Sequence, residues 1–238
     1  VPLQHVVLCS WRTVKEVCLT LDGLYGRADM RGKTSVLFCR EQGSRLVHLL
    51  CGARHHGAVD MIQSCLETLC RRMLRGPASL RLDDVCWEWL GQGFEHVKLA
   101  SAGTTTRRSA GFSALFRSVL GELAACPRHT CAVIDAVVRV LDLAEQGCDA
   151  TVQTHSRNIL CNIMKDARLH GVARRLVTRT ATVSIDGFGS THFAIKNSSM
   201  MLFSALCARA FGTKRVRDEH STENKLGFDE FFAEFPGL

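Results

Sequence analysis

The chain has 238 residues, enough for one large domain or two small ones, and its 46% hydrophobic and 22% charged residues are ordinary for a packed globular protein. Only 4 prolines and 1 tyrosine are present, which favours helices over a β-sandwich. The formal net charge of +7 is compatible with a nucleic-acid partner, although a solvated basic surface explains the same balance.

Apolar residues recur three and four positions apart along most of the chain, which predicts a series of amphipathic helices. In chain order, these stripes begin at Val7, Val59, Phe112, Ile134, Ile159 and Met200. The turns between helices are short, and they are marked by Gly76-Pro77, Cys126-Pro127, Gly147 and Gly171. Helices joined by short turns, with no exact repeat period, predict an all-α fold. We expect a single α-solenoid domain of HEAT- or armadillo-like stacked helical hairpins over residues 1–238.

Two stretches depart from this pattern. Residues 24–44 are rich in glycine and charge and lack periodicity, so the sequence predicts a long loop there. Residues 176–185 (LVTRTATVSI) are β-branched and resemble a strand. We predict a helix for them because the segments on both sides are helical.

The 12 cysteines include no Cys-x-x-Cys pair, and most fall within apolar helical stripes, as reduced cysteines do. No apolar run reaches about 18 residues, so no membrane span is expected. These features predict a reducing, cytoplasmic location. Because the sequence begins at Val1 rather than Met, we also expect it to be part of a longer protein.

A pair of arginines precedes the helix that carries the Phe112 stripe. Arg107 and Arg108 fall at the positive end of that helix, where a bound anion would offset the unfavourable like charge. The small residues Ser109, Ala110 and Gly111 allow another backbone to approach closely. A phosphate contact and salt bridges to neighbouring helices are both open interpretations.

Three further polar clusters are candidate binding residues. The first ends the Ile159 helix and is part of a basic surface or a simple helix cap. The second begins the Met200 helix and binds a partner or satisfies backbone donors between repeats. The third is a phosphate patch or a solvated loop, since acidic residues follow it at once. In this order the clusters are Lys165 with Arg168, Lys196 with Asn197, and Lys214 with Arg215 and Arg217.

Patterns typical of enzymes are incomplete in this chain. Asp186-Gly187-Phe188-Gly189 lacks the third glycine of a dinucleotide loop, and no βαβ pattern surrounds it. Cys126 and His129 have metal-ligand spacing, but no second half of a zinc site follows. No Gly-x-Ser-x-Gly elbow is present. We therefore predict no catalytic residue, no metal and no bound cofactor.

Five blocks of this sequence resemble the THADA family of large helical-repeat proteins. They are CSWRTVKEV from Cys9, TRRSAGF from Thr106, HSRNILCNIMKDARL from His155, IDGFGSTHFAIKNSSMMLFSALCARAFG from Ile185, and TKRVRDEHSTENKLGFDEFFAEFP from Thr213. The order and spacing of the blocks fit one domain.

The resemblance implies a non-catalytic partner of an FtsJ-like tRNA ribose methyltransferase. That enzyme methylates the 2′-OH of nucleotide 32 in the anticodon loop, and it would itself bind the S-adenosylmethionine. By the same resemblance, residues 107–111 carry the family's Arg-Arg-Ser-Ala-Gly signature, implicated in tRNA methylation. Lys165 and Lys196 stand where the family commonly has arginine. The alternative is a protein-only α-solenoid adaptor with no direct RNA contact.

Overall fold

The chain is built from α-helices. The computed structural model describes residues 3–27, 32–100, 110–146, 149–211 and 227–235, and these contain no strand, which confirms the predicted all-α fold. The helices are α1 Leu3–Arg27, α2 Lys33–Gly52, α3 His56–Leu74, α4 Leu82–Lys98, α5 Ala110–Ala124, α6 Thr130–Gln146, α7 Ala150–Lys165, α8 His170–Arg175, α9 Val177–Asp186, α10 Phe193–Phe211 and α11 Phe228–Glu234. Short 3₁₀ turns lie at Ala78–Leu80, Pro127–His129, Ala167–Leu169 and Gly187–Gly189.

The helices form two compact units, Val1–Val133 and Ile134–Leu238. In the first unit α3 is the central helix, because it packs against α1, α2, α4 and α5. Compact units also occur within one helical-repeat array, so the single-domain prediction for residues 1–238 stays a prediction.

The core of the first unit is aromatic and aliphatic. Phe94 on α4 meets Phe116 on α5 edge to face, with ring centroids 4.8 Å apart, and both rings are fully buried. Arg71 on α3 donates to both carboxylate oxygens of Glu122 on α5, at 2.8 and 3.1 Å. This paired hydrogen bond joins the central helix to α5 and fixes their register.

The loop predicted for residues 24–44 is wrong where the structure describes that stretch. Helix α1 continues to Arg27, and α2 begins at Lys33. The glycines misled the prediction, since Gly43 is a buried helical position where a Cβ would overlap the ring of Trp89. The charged residues form a solvated face of α2, on which Arg45 pairs with Glu41 at 2.5 Å.

In the second unit, α7 and α10 form the most extensive helix pair, and α9 packs beside α10. A small apolar cluster joins α9 and α10 to the chain just after α11; its buried members are Val177, Ala181, Leu206 and Phe235. The prediction that residues 176–185 are helical is confirmed by α9. Gly171 does not end a helix as predicted, because it lies in the first turn of α8, and the break falls earlier, after Lys165.

Most cysteines in the described residues are buried or half-buried, while Cys9 and Cys131 are exposed. They therefore serve as small core residues, as the sequence indicated. Among the helices described, none is both long enough and apolar enough to cross a bilayer.

Candidate functional site

The last two residues of the predicted signature are the first two residues of α5. Arg107, Arg108 and Ser109 lie outside the described residues, whereas Ala110 is half-buried and Gly111 is buried. A Cβ at Gly111 would overlap the carbonyl oxygen of Leu50 and lie 2.8 Å from its carbonyl carbon. Glycine is therefore required here to let α5 start directly against the C-terminal end of α2.

The predicted residues Lys165 and Arg168 are both exposed, at the C-terminal end of α7. Asp166 begins the following 3₁₀ turn and accepts from the backbone N–H of Arg168 at 2.8 Å. The Nη2 of Arg168 also donates to Oδ2 of Asp166, at 2.8 Å. Arg168 is thus held beside α7 by a carboxylate and leaves part of its guanidinium in solvent.

Arg209, which sequence analysis missed, caps the C-terminal end of α7. The Nε of Arg209 donates to the carbonyl oxygen of Met164 at 2.7 Å, and its Nη2 donates to that of Asp166 at 2.8 Å. Its Nη1 lies 3.0 Å from Nδ1 of His170. A cation is favourable at this end of α7 because the carbonyl groups there lack helical partners. No local pattern signals a contact that spans 45 positions.

Two more exposed arginines, Arg174 and Arg175, end α8, which packs against α7 and the intervening 3₁₀ turn. Sequence analysis missed them too, although the adjacent pair was a visible signal. We call the group of cations around the end of α7 the basic edge; its members are Lys165, Arg168, Arg174, Arg175 and Arg209. Residues 165–175 contain four Lys or Arg and one carboxylate, that of Asp166, so this stretch of the chain is strongly basic.

Lys196 and Asn197 are exposed near the start of α10, away from the basic edge. The Cys161 thiol on α7 donates to the carbonyl of Met201 at 3.5 Å, and Arg209 meets Met164 farther along both helices. Helices α7 and α10 therefore run in the same direction. Lys196 precedes Arg209 by 13 positions, a rise of about 20 Å. The structure does not bring the predicted cations of α7 and α10 together.

The surface around Lys196 and Asn197 is apolar. Phe193 is 80% exposed and Met200 is 63% exposed, on the same side of α10. The amide of Asn197 reaches the sulfur of Met201 at 3.9 Å. We call the exposed stripe along this side of the helix the α10 face; its members are Phe193, Lys196, Asn197, Met200 and Met201.

The polar residues that face inward from α10 are Ser198 and Ser199, both buried. Ser198 donates to the carbonyl of Ile195 at 3.0 Å. A Cβ at Gly187 would overlap Oγ of Ser199 and lie 3.3 Å from Nε of Arg157. The rejected Asp186–Gly189 loop is thus a tight 3₁₀ turn, and Gly187 is needed for packing.

Arg157 is a buried cation in the middle of α7, with 4% of its surface exposed. Its Nη1 donates to the carbonyl of Ala144 at 2.7 Å, which ties α7 to α6. Burial lowers the pKa of the Arg157 guanidinium, while the charges of Asp186 and Glu145 oppose that shift. The role of Arg157 is to join helices inside the second unit, out of reach of a surface ligand.

The other predictions give no site. Lys214, Arg215 and Arg217 lie outside the described residues. His129 lies against Asp83 at 3.5 Å and edge-on to Trp87, so it packs in the first unit. Within the ranges that the structure describes, no group of three or more His, Cys, Asp or Glu side chains could hold a metal ion.

The helices that the structure describes pack against one another and present a basic edge and an apolar stripe, an arrangement typical of helical-repeat proteins. The family profile described as THADA/TRM732, DUF2428 matches residues 1–194, and the profile described as Trm732, C-terminal TPR repeats matches residues 196–238. The chain belongs to the THADA/Trm732 family, as the sequence blocks indicated. The repeat profile agrees with the predicted helical solenoid.

Relatives from distant organisms match the whole chain. It is 33% identical over 251 residues to the human tRNA (32-2′-O)-methyltransferase regulator THADA, with 100% of the chain and 13% of that protein covered. It is 27% identical over 263 residues to the Drosophila melanogaster regulator of the same name, covering 99% of the chain and 15% of that protein. It is 26% identical over 255 residues to the Schizosaccharomyces pombe regulator trm732, covering 100% of the chain and 16% of that protein. The chain thus spans a small fraction of the length of the curated relatives it matches.

Proposed function

We propose that this chain is the part of a regulatory subunit that holds tRNA for a 2′-O-ribose methyltransferase. The partner is an FtsJ-like enzyme of the cytoplasm that modifies nucleotide 32 of the anticodon loop and binds S-adenosylmethionine itself. In this division of labour the chain is non-catalytic. The observation that carries the proposal is the match of the whole chain to relatives named as regulators of a tRNA (32-2′-O)-methyltransferase.

The basic edge supports a contact with RNA phosphate. Arginine provides most of its charge, and a planar guanidinium binds phosphate oxygens in pairs. Arg174 and Arg175 are exposed, so both guanidinium groups lie at the surface. Folded RNA is recognised largely through its shape and phosphates, which suits a basic surface without base-reading pockets. The signature arginines Arg107 and Arg108 extend the proposal to the first unit.

The α10 face supports a second candidate function, a protein-only adaptor. Phe193 is 80% exposed and Met200 is 63% exposed on one side of α10, and Met-rich stripes are common at protein-binding surfaces. In this alternative the α10 face docks the methyltransferase, and tRNA is held elsewhere in the complex.

The two candidates are separated by titrating tRNA into the purified chain at two salt concentrations. For an RNA-holding surface we expect binding that weakens steeply with salt. Changing Arg174 and Arg175 to Gln together should lower the slope of log K against log salt by about two. The Arg107→Ala plus Arg108→Ala variant should weaken tRNA binding and lower this slope by about one to two. The matched control is Arg40→Gln plus Arg45→Gln, which removes the same charge from two exposed arginines of α2 that are paired with Glu88 of α4 and Glu41 of α2.

Each outcome selects a candidate. Absence of tRNA binding at low salt favours the adaptor. An equal loss in the control variant would mean that net charge, and no particular surface, sets the affinity. Unchanged tRNA binding together with lost methylation in the reconstituted complex would place the altered arginines at the enzyme interface.

A further inference from the structure

A cleft in the first unit is not used by the basic edge or by the α10 face. It lies between α1 and the α2–α3 turn and has a volume of about 530 Å³. Val14 and Trp11 of α1 form one wall, and Leu49 and Ala58 are among the residues opposite them. This volume falls within the range of pockets that bind small molecules or single nucleotides.

The cleft contains a planar aromatic surface. The indole of Trp11 is stacked on the imidazole of His55, with ring centroids 5.4 Å apart and an interplanar angle of 14°. The Trp11 residue is half-buried, and His55 is exposed. Such rings are the side chains on which unpaired nucleobases stack, since every base has a π-face.

The cleft takes its positive charge from Arg54. This arginine lines the cleft with His48 and His55, and none of the lining side chains that the structure describes is a carboxylate. Helix α3 begins at His56 without a side-chain cap, so its positive end adds to the field at this wall. An apolar protein helix would fill the cleft but leave Arg54 without a counter-charge. A nucleotide supplies both the flat apolar group and the anion.

The position of the cleft relates it to the signature. Leu49 lines the cleft, and the next residue, Leu50, contributes the carbonyl that meets Gly111 at the start of α5. Successive residues near the end of α2 therefore line the cleft and contact the start of α5.

We propose that this cleft binds one unpaired nucleotide of an RNA, with the base against Trp11 and a phosphate at Arg54. The proposal rests on the proposed function, because it assigns a place for an unstacked base of the RNA that the chain holds. The basic edge contacts phosphates irrespective of base pairing, whereas the cleft selects single-stranded RNA.

The test uses the fluorescence of Trp11 in the purified chain. Trp89 is fully buried, and Trp87→Phe removes the other half-buried indole, so Trp11 is the responsive fluorophore. The probes are a single-stranded RNA heptamer and an abasic oligomer with the same number of phosphates. We expect the heptamer to quench the emission and the abasic oligomer to leave it unchanged.

Three variants make the test independent of folding. Trp11→Leu removes the fluorophore, so heptamer binding is followed in all three variants by the anisotropy of a fluorescent label on the RNA. This variant should bind the heptamer about tenfold more weakly, the loss of one stacked base. Trp11→Phe keeps an aromatic face and should retain most of the affinity. Arg54→Gln changes an exposed residue and should lower the salt slope of heptamer binding by about one.

Other results would overturn the proposal in distinguishable ways. One result would refute only the cleft assignment: the heptamer binds wild type and Trp11→Leu equally and does not quench the wild-type emission. If tRNA binding stays salt-dependent in that case, the proposed function stands. If neither RNA binds at low salt, both fail. If Trp11→Leu binds RNA normally but loses the methyltransferase, the cleft is a protein-docking site.

Discussion

The guanidinium of Arg209 near the end of α10 donates to the carbonyl of Met164 at the end of α7, 2.7 Å away. Because it also bonds the carbonyl of Asp166, we expect Arg209→Met to lower the free energy of unfolding by about 2 kcal/mol. Arg209→Lys keeps the positive charge but lacks the branched guanidinium that reaches both carbonyls, so it should give an intermediate loss of unfolding free energy. Urea unfolding measures both values. A loss below about 0.5 kcal/mol in Arg209→Met would refute the capping role, since surface changes rarely exceed that.

Replacement of Gly111 by alanine should destabilise the first unit. The added methyl group overlaps the Leu50 carbonyl, and backbone cannot rotate aside, so we expect a loss of about 1–3 kcal/mol. Gly91→Ala on α4 is the matched control, because nothing lies within 4 Å of its Cβ. That change should stabilise the chain by about 0.5–1 kcal/mol, as alanine favours helix. Thermal unfolding that moves in the same direction for both variants would contradict the packing argument.

In the second unit, Gly187→Ala should cost about 1–3 kcal/mol, because its Cβ would lie 2.8 Å from Cβ of Ser199. Ser199→Ala should be neutral or stabilising, since Oγ of Ser199 is buried without a hydrogen-bond partner among the described residues. Urea unfolding of each single variant measures both changes in unfolding free energy. A large loss in Ser199→Ala would mean that this hydroxyl makes a bond that the packing does not predict.

Acid should weaken the second unit through His155. Burial lowers the pKa of this fully buried side chain from 6.5 to about 4, and the charge of Asp149 only partly opposes it. The folded state therefore disfavours the protonated form. Neutral His155 therefore contributes fully to the free energy of unfolding above pH 6.5. The contribution decreases by about 3 kcal/mol in total as the pH falls towards 4.

The His155 prediction is measured by urea unfolding between pH 7.5 and 4, in wild type and in His155→Phe. The difference in unfolding free energy between the two proteins should change with pH in that window. His192→Gln, an exposed control, should follow wild type at every pH. Parallel curves for wild type and His155→Phe would show that His155 does not titrate differently on folding.

The fold was predictable where apolar residues recur at helical spacing or where the neighbouring segments are helical. The α9 segment was assigned correctly, despite its β-branched residues, from the helical segments on both sides. The structure adds that Val177, Thr180, Ala181 and Ser184 share its buried side. Helix α2 was missed because Gly43 occupies a position of its buried stripe, and a glycine shows no hydrophobicity in a sequence. The need for that glycine comes from Trp89 on another helix, 46 positions away.

The candidate site was only partly predictable for a similar reason. Lys165 and Arg168 were recognised as surface cations from the end of their own helix. Their grouping with Arg209 depends on the parallel packing of α7 and α10, which no local pattern encodes. The same packing separates Lys196 from them, although sequence gives all three cations equal weight.

The contact between Gly111 and the Leu50 carbonyl also constrains how the signature can evolve. A side chain at position 111 requires the end of α2 to move, so we expect this residue to change only after a compensating change in the last turn of α2. In lineages where residue 111 is not glycine, residues 50–53 should differ as well. A residue other than glycine at position 111 would then indicate a rearranged backbone at the end of α2, and it would not by itself indicate a different ligand.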